Sequence, residues 1–226
     1  MIKCTSLEKL SLTFNVGKAD IYGDLSVLSY GLMLTRSLNA LCVAIFIDDL
    51  SDTGFSSTLD SLTQGLSINS SVATLTITIT LAACRTDYIG LPIVLDYRLS
   101  MNKSITTLNV TINEYGDGES LIPLCLRRCG VFEGLANNTS VTTFNLTLNS
   151  SRDVSDDWLT DLSVMLTENT SLTTLRLKVN NHCAAGESSL YDFSKLLIES
   201  SRSLSLLELD VSFFGKESGC HKVLIQ

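Results

Sequence analysis

A short apolar phrase recurs along the whole chain. At Ser171 it reads Ser-Leu-Thr-Thr-Leu-Arg-Leu-Lys-Val-Asn, with apolar residues at Leu172, Leu175 and Leu177 and polar ones between. Counterparts begin at Ser6, Ser37, Ser71, Ser104, Ser140 and Ser203. The pattern S-L-x-x-L-x-L therefore occurs seven times, at intervals of 31, 34, 33, 36, 31 and 32 residues. Apolar positions alternate with period two inside each copy, and Thr, Val and Ile suit a pleated strand. Strands are expected near 7–13, 38–45, 72–79, 105–112, 141–148, 172–179 and 204–211. Between them the period changes. Leu25, Leu28 and Leu32 precede the second strand, Leu59, Leu62 and Leu66 the third, and Leu159, Leu162 and Leu166 the sixth. An i, i+3, i+7 spacing places each trio on one helical face. After the last strand, the final repeat runs to Val223-Leu224-Ile225-Gln226 with a shortened helix segment.

Four helix segments close on Asn-x-Ser, at Asn69, Asn102, Asn138 and Asn169. Asn tolerates the left-handed conformation that ends a helix, which is the role expected there. A second Asn stands at the ninth place of L-x-x-L-x-L-x-x-N in four copies (Asn15, Asn113, Asn149, Asn180), where it is expected to close the strand turn; Phe46, Thr80 and Ser212 occupy that place in the others. Strand, turn, helix, turn, repeated with short links, predicts parallel strands with right-handed crossovers. The fold class is thus α/β, a curved solenoid of about seven repeats with strands on the concave face and helices on the convex face. Residues 1–226 read as a single solenoid. Solenoids need polar caps, and Leu7, Leu10 and Leu12 begin a full strand with nothing ahead to cover them, so the chain is expected to be a piece of a longer repeat protein.

These repeats resemble the leucine-rich repeat family over nearly the whole chain. Their length and true convex helices are similar to the ribonuclease-inhibitor-like subclass, which forms the carboxyl-terminal region of NOD-like (NACHT-domain) receptors. The phrase Leu135-Ala136-Asn137-Asn138-Thr139-Ser140-Val141-Thr142-Thr143-Phe144 is especially similar to such receptor repeats. The resemblance implies a non-catalytic, ligand-sensing or protein-binding arc in innate immunity, with a nucleotide-binding domain or further repeats outside this chain. A free-standing scaffold similar to ribonuclease inhibitor, or a secreted repeat glycoprotein, are the alternatives.

Composition follows from the repeat, since 39 Leu and 53 Ser plus Thr fill its apolar and strand positions. A net charge of −8 with no basic stripe argues against nucleic acid as partner. The longest apolar run, Leu41–Ile47, is far short of the roughly 18 residues of a membrane helix. The amino terminus has no basic region followed by an apolar run, so no secretory signal is read. Seven scattered cysteines, an odd number, suit reduced thiols better than a disulfide framework. Together these predict a cytoplasmic protein.

No catalytic, metal or cofactor constellation emerges, and the chain is read as not an enzyme. The pairs Gly17-Lys18 and Gly215-Lys216 lack the rest of a phosphate loop. His182-Cys183 beside Asp192 reads as a polar loop, Cys125 and Cys129 as small buried residues, and Trp158 as packing. Asn69, Asn102, Asn109, Asn137, Asn138, Asn145, Asn149 and Asn169 each head N-x-[ST]. Their positions are set by the repeat frame, which generates such triplets without selection for glycans.

The outward strand positions form the candidate binding face for a protein or peptide: Thr107, Asn109 and Thr111; Thr143, Asn145 and Thr147; Thr174, Arg176 and Lys178; Glu208 and Asp210. The middle is a ladder of Thr and Asn. Hot spots favour Trp, Tyr and Arg, so recognition is expected at the charged carboxyl end, where Arg176 and Lys178 neighbour Glu208 and Asp210.

Overall fold

A computed structural model describes residues 6–16, 26–47, 55–82, 95–116, 120–152, 154, 157–181, 204–213 and 221–225. The elements run β1 (Lys9–Val16), α1 (Ser26–Leu34), β2 (Ala40–Ile47), α2 (Phe55–Ile68), β3 (Thr74–Ala82), α3 (Asp96–Met101) and β4 (Thr107–Tyr115). They continue with α4 (Ile122–Cys129), α5 (Val131–Asn137), β5 (Thr143–Ser150), α6 (Asp157–Glu168), β6 (Thr174–Asn181), β7 (Leu206–Phe213) and β8 (His221–Ile225). Strands β1 to β7 pair in parallel, in chain order, within one open sheet. The fold is a leucine-rich-repeat solenoid. Strands repeat about every 4.8 Å while packed helices need about 8–10 Å, so the stack curves with the sheet inside.

Register is continuous across the sheet. Leu41, Leu75, Leu108, Phe144, Leu175 and Leu207 form one row, and all are buried. The next inward row holds Val43, Ile77, Val110, Leu146, Leu177 and Leu209, equally buried. A slip of one residue would turn all of these to solvent. From the helices, Leu32, Leu62, Leu66, Leu162 and Leu166 complete the core, as the i, i+3, i+7 spacing predicts. Where one strand carries Phe144 in place of Leu, Phe132 of α5 meets it edge-on at 6.4 Å. Neighbouring helices approach closely too. A Cβ on Gly65 would lie 2.6 Å from the Ser29 carbonyl of α1, so only glycine lets α2 pack there.

Three features differ from the sequence-based expectation. Each strand begins two residues after the start of its stretch and runs through the ninth place, so Asn113, Asn149 and Asn180 lie within strands rather than closing them. The 36-residue interval holds two short helices, α4 and α5, joined at Gly130 with φ 59°; that left-handed angle suits a residue without Cβ. Finally, the last apolar run is no helix. It is β8, antiparallel to β7 with Leu209 opposite Val223, because a short β-branched run fits a strand better than one helical turn.

The helix-ending asparagines also depart from expectation. Asn102 (φ −69°, ψ 135°) and Asn138 (φ −80°, ψ 138°) are extended, not left-handed. Their side chains do the capping. Asn138 Nδ2 donates to the carbonyls of Leu99 (2.6 Å) and Asn102 (3.0 Å) in the preceding repeat. Its Oδ1 accepts the N–H groups of Ser140 (2.8 Å) and Val141 (2.7 Å) in its own. Asn69, Asn102 and Asn169 repeat the arrangement, and all four are buried. Helix carbonyls left over at one repeat's end are thus satisfied by the next repeat. This explains the strand shift, because the N–H of Val72, Ile105, Val141 and Leu172 goes to an asparagine instead of a neighbouring strand.

Removing such an amide strands buried donors and acceptors. Asn138→Ala should cost about 3 kcal/mol in urea-denaturation free energy. Asn138→Asp should be at least as damaging, since a carboxylate oxygen would face the Leu99 and Asn102 carbonyls. A loss under about 1 kcal/mol for both would contradict the role given to the ladder.

Candidate functional site

The exposed face of the sheet is built by the pleat. Register sets Thr107, Thr143 and Thr174 in one row, Asn109, Asn145, Arg176 and Glu208 in a second, and Thr111, Thr147, Lys178 and Asp210 in a third. The second row is a continuous run of hydrogen bonds. Asn109 Nδ2 donates to Thr76 Oγ1 (3.0 Å), Asn145 Nδ2 to Asn109 Oδ1 (2.6 Å), and Arg176 Nη1 to Asn145 Oδ1 (3.5 Å). The run ends in an ion pair, Arg176 Nε to Glu208 Oε2 at 3.0 Å. Lys178 Nζ lies 3.6 Å from Asp210 Oδ2 in the third row. A further run joins the ninth-place residues, Thr80, Asn113, Asn149 and Asn180.

This geometry changes the character of the face. The central amides are half-buried and occupied by one another, so they offer a partner fewer free donors than their number suggests. The four charges at the carboxyl end face each other across β6 and β7 and largely neutralise. Exposed pairs of this kind are worth about 0–1 kcal/mol each. They are therefore inexpensive to separate when a partner supplies its own charges.

Of the other residues weighed on the sequence, Cys125 and Cys129 are buried with their Sγ atoms 3.9 Å apart, and Trp158 is buried in the core. Among the described residues no three His, Cys, Asp or Glu side chains converge as metal ligands, and no helix is long and apolar enough to cross a membrane. His182, Cys183, Asp192 and both Gly-Lys pairs lie outside the described residues.

One polar cluster escaped the sequence reading. Glu114 sits at an inward position of β4, in register with Leu81 of β3, and is buried. Its carboxylate accepts from Leu121 N–H (2.6 Å), Ser120 Oγ (2.7 Å) and Ser150 Oγ (2.8 Å), and pairs with buried Arg152 Nη1 at 3.4 Å. The signal was available: a glutamate where the alternation calls for leucine. Its chemistry is structural, since it holds the start of α4 and the end of β5.

Breaking that pair should be far worse than replacing it. Glu114→Ala removes the carboxylate that faces the buried Arg152 guanidinium and is expected to lower stability by about 3–5 kcal/mol. The double variant Glu114→Leu/Arg152→Leu, which restores the ordinary inward residue, should recover most of that loss in the same denaturation assay. Failure of the double variant to improve on the single one would show that the cluster contributes more than charge compensation.

No family model and no curated protein matches the chain. Among solved structures, leiomodin-1 actin-binding site 2 aligns at 16% identity with a TM-score of 0.44, covering 81% of this chain and 91% of that one. At that level of likeness the fold assignment stands on strand order and register.

Proposed function

We propose that this chain is a non-catalytic protein-binding repeat domain that presents its sheet face to a protein or peptide. The observation that carries the reading is the open face itself: seven strands stand in register, and from β3 to β6 they present parallel rows of polar side chains. Its mobile charge sits at β6 and β7, where Arg176, Lys178, Glu208 and Asp210 can re-pair with a ligand of mixed charge. The finer reading, the sensor region of a cytosolic NOD-like innate immune receptor, rests on the resemblance carried by Leu135–Phe144.

A cytoplasmic location draws support from the asparagines. Asn69, Asn102, Asn138 and Asn169 head glycosylation triplets, yet each uses its Nδ2 inside the core. A glycan is bulky and belongs on a surface. Attached at any of these nitrogens it would displace a hydrogen bond and place sugar between two repeats. Asn109, Asn145 and Asn149 are half-buried in cross-strand rows, which leaves Asn137 as the exposed triplet asparagine among the described residues. Folding in a compartment without N-glycosyl transfer avoids the conflict.

Two experiments test this reading. A photo-crosslinking residue at Thr147 should capture a discrete protein in cells, and capture should fall at least about tenfold with Arg176→Glu/Lys178→Glu. Capture from Thr147 that the two charge reversals leave unchanged would remove the charged end of the sheet face from consideration. Routed through the secretory pathway behind an added signal, the chain should be glycosylated before folding and retained as aggregate. Blocking glycosyl transfer should release folded protein, whereas efficient secretion of a fully glycosylated form would count against the cytosolic reading.

A further inference from the structure

The helix surface carries a second pattern, independent of the sheet face. The residue just before each ladder position is exposed: Leu34 (51%), Ile68 (52%) and Met101 (52%) on α1 to α3, then Asn137 on α5 and Glu168 on α6. One turn earlier, on the same helical face, stand Tyr30 (52%), Gln64 and Tyr97 (59%) in the first half, and Glu133 and Val164 (52%) in the second. The outer face thus gains the carboxylates of Glu133 and Glu168 beyond the junction of α3 and α5, which pack against each other, and loses its tyrosines there.

Apart from Arg127, which pairs with Asp161 at 3.3 Å in the second half, the exposed helix-side cations described lie in the first half. Arg36 and Lys103 are exposed on the turns after α1 and α3, and the Arg98 guanidinium lies 5.9 Å from the Tyr97 ring centre. In the second half, Glu133 and Glu168 border a groove between α4, α5 and α6 of about 280 Å³. Leu126, Phe132, Val164 and Met165 supply its apolar lining.

We propose that this outer face is a self-association surface whose occupant is a second copy of the same chain. The copies meet antiparallel about a twofold axis at the α3–α5 junction. Tyr97 or Met101 of each fills the groove of the other, and Lys103 of each meets Glu168 or Glu133 of the other. Charge complementarity selects this occupant: one face holds Arg36 and Lys103 in one half and, beyond the Arg127–Asp161 pair, the carboxylates of Glu133 and Glu168 beside the groove in the other. Only an isologous pairing brings the unlike halves together twice and closes. Curvature restricts contact between two convex faces to a central zone, and Tyr97, Met101 and the groove occupy that zone. Aromatic and Met residues are enriched at such contacts, and exposed apolar patches of this kind mark interaction sites.

The test is sedimentation of the full chain between about 1 and 100 µM, where a modest interface would be partly populated. A monomer–dimer equilibrium is expected. Lys103→Glu and Glu168→Lys should each weaken it at least about tenfold. An equimolar mixture of the two single variants should dimerise to within about threefold of wild type, because a twofold pairing then sets each reversed charge against its complement. Met101→Asp should abolish the dimer. All three positions are exposed, so far-ultraviolet circular dichroism and urea midpoints should stay unchanged. A monomer throughout that range would overturn the proposal. So would a dimer or larger oligomer indifferent to the charge reversals, since association would then run through another surface such as a strand edge.

Discussion

The buried asparagine amide is the constraint on which the rest of the structure hangs. Each helix ends with carbonyls that have no intrahelical partner, and each must pass into a strand within a few residues. One side chain with two donors and two acceptors settles both problems. Its nitrogen takes the carbonyls of the repeat before, and its oxygen takes the N–H groups of the repeat that follows. Because donor and acceptor ends belong to different repeats, no repeat can be satisfied alone. Leucine burial supplies the larger free energy, but burial is non-directional. The amides fix where each repeat sits on the last, and Ser71, Ser104, Ser140 and Ser171 reinforce them by donating to the same ladder carbonyls.

In-register stacking then decides the chemistry of the exposed sheet. Side chains at equivalent positions stand about 4.8 Å apart, so an asparagine opposite an asparagine meets it directly. That geometry converts Asn109 and Asn145, or Asn113 and Asn149, from free recognition groups into members of cross-strand rows. Polarity on this face serves the sheet first. Binding capacity concentrates where the rows turn into ion pairs at β6 and β7, since charges that pair weakly in water exchange partners readily.

How much of this was legible in the sequence depended on whether the signal was periodic. The repeat, the strand–helix alternation, the inward leucines and the outward Thr and Asn positions all recur, and the structure places them on the faces that periodicity assigns. Conformation at single residues does not recur in that way. Backbone tolerance predicts a left-handed Asn102 and Asn138, whereas their amides cap from an extended backbone. Ninth-place asparagines looked like turn residues because the pattern could not say where pairing starts. Val223–Ile225 is too short to distinguish strand from helix by period, and only its pairing with β7 decides. The charge pairs across β6 and β7 were legible as neighbours, but their mutual neutralisation required side-chain positions.

Glu114 shows how one departure from the pattern propagates. A carboxylate in a leucine position must be paired or it would unfold the repeat. Ser120 and the Leu121 N–H supply partners only if the chain turns immediately into a helix there, and that helix is α4. Ser150 and Arg152 supply the others from the end of the next strand. The longest interval of the chain, 36 residues, is the one that contains Glu114, Ser120 and Leu121. Because α4 and α5 share the space that one helix fills elsewhere, they break the even packing of the convex layer and leave a groove against α6. The interruption on the outer surface therefore traces back to a single buried charge on the inner one.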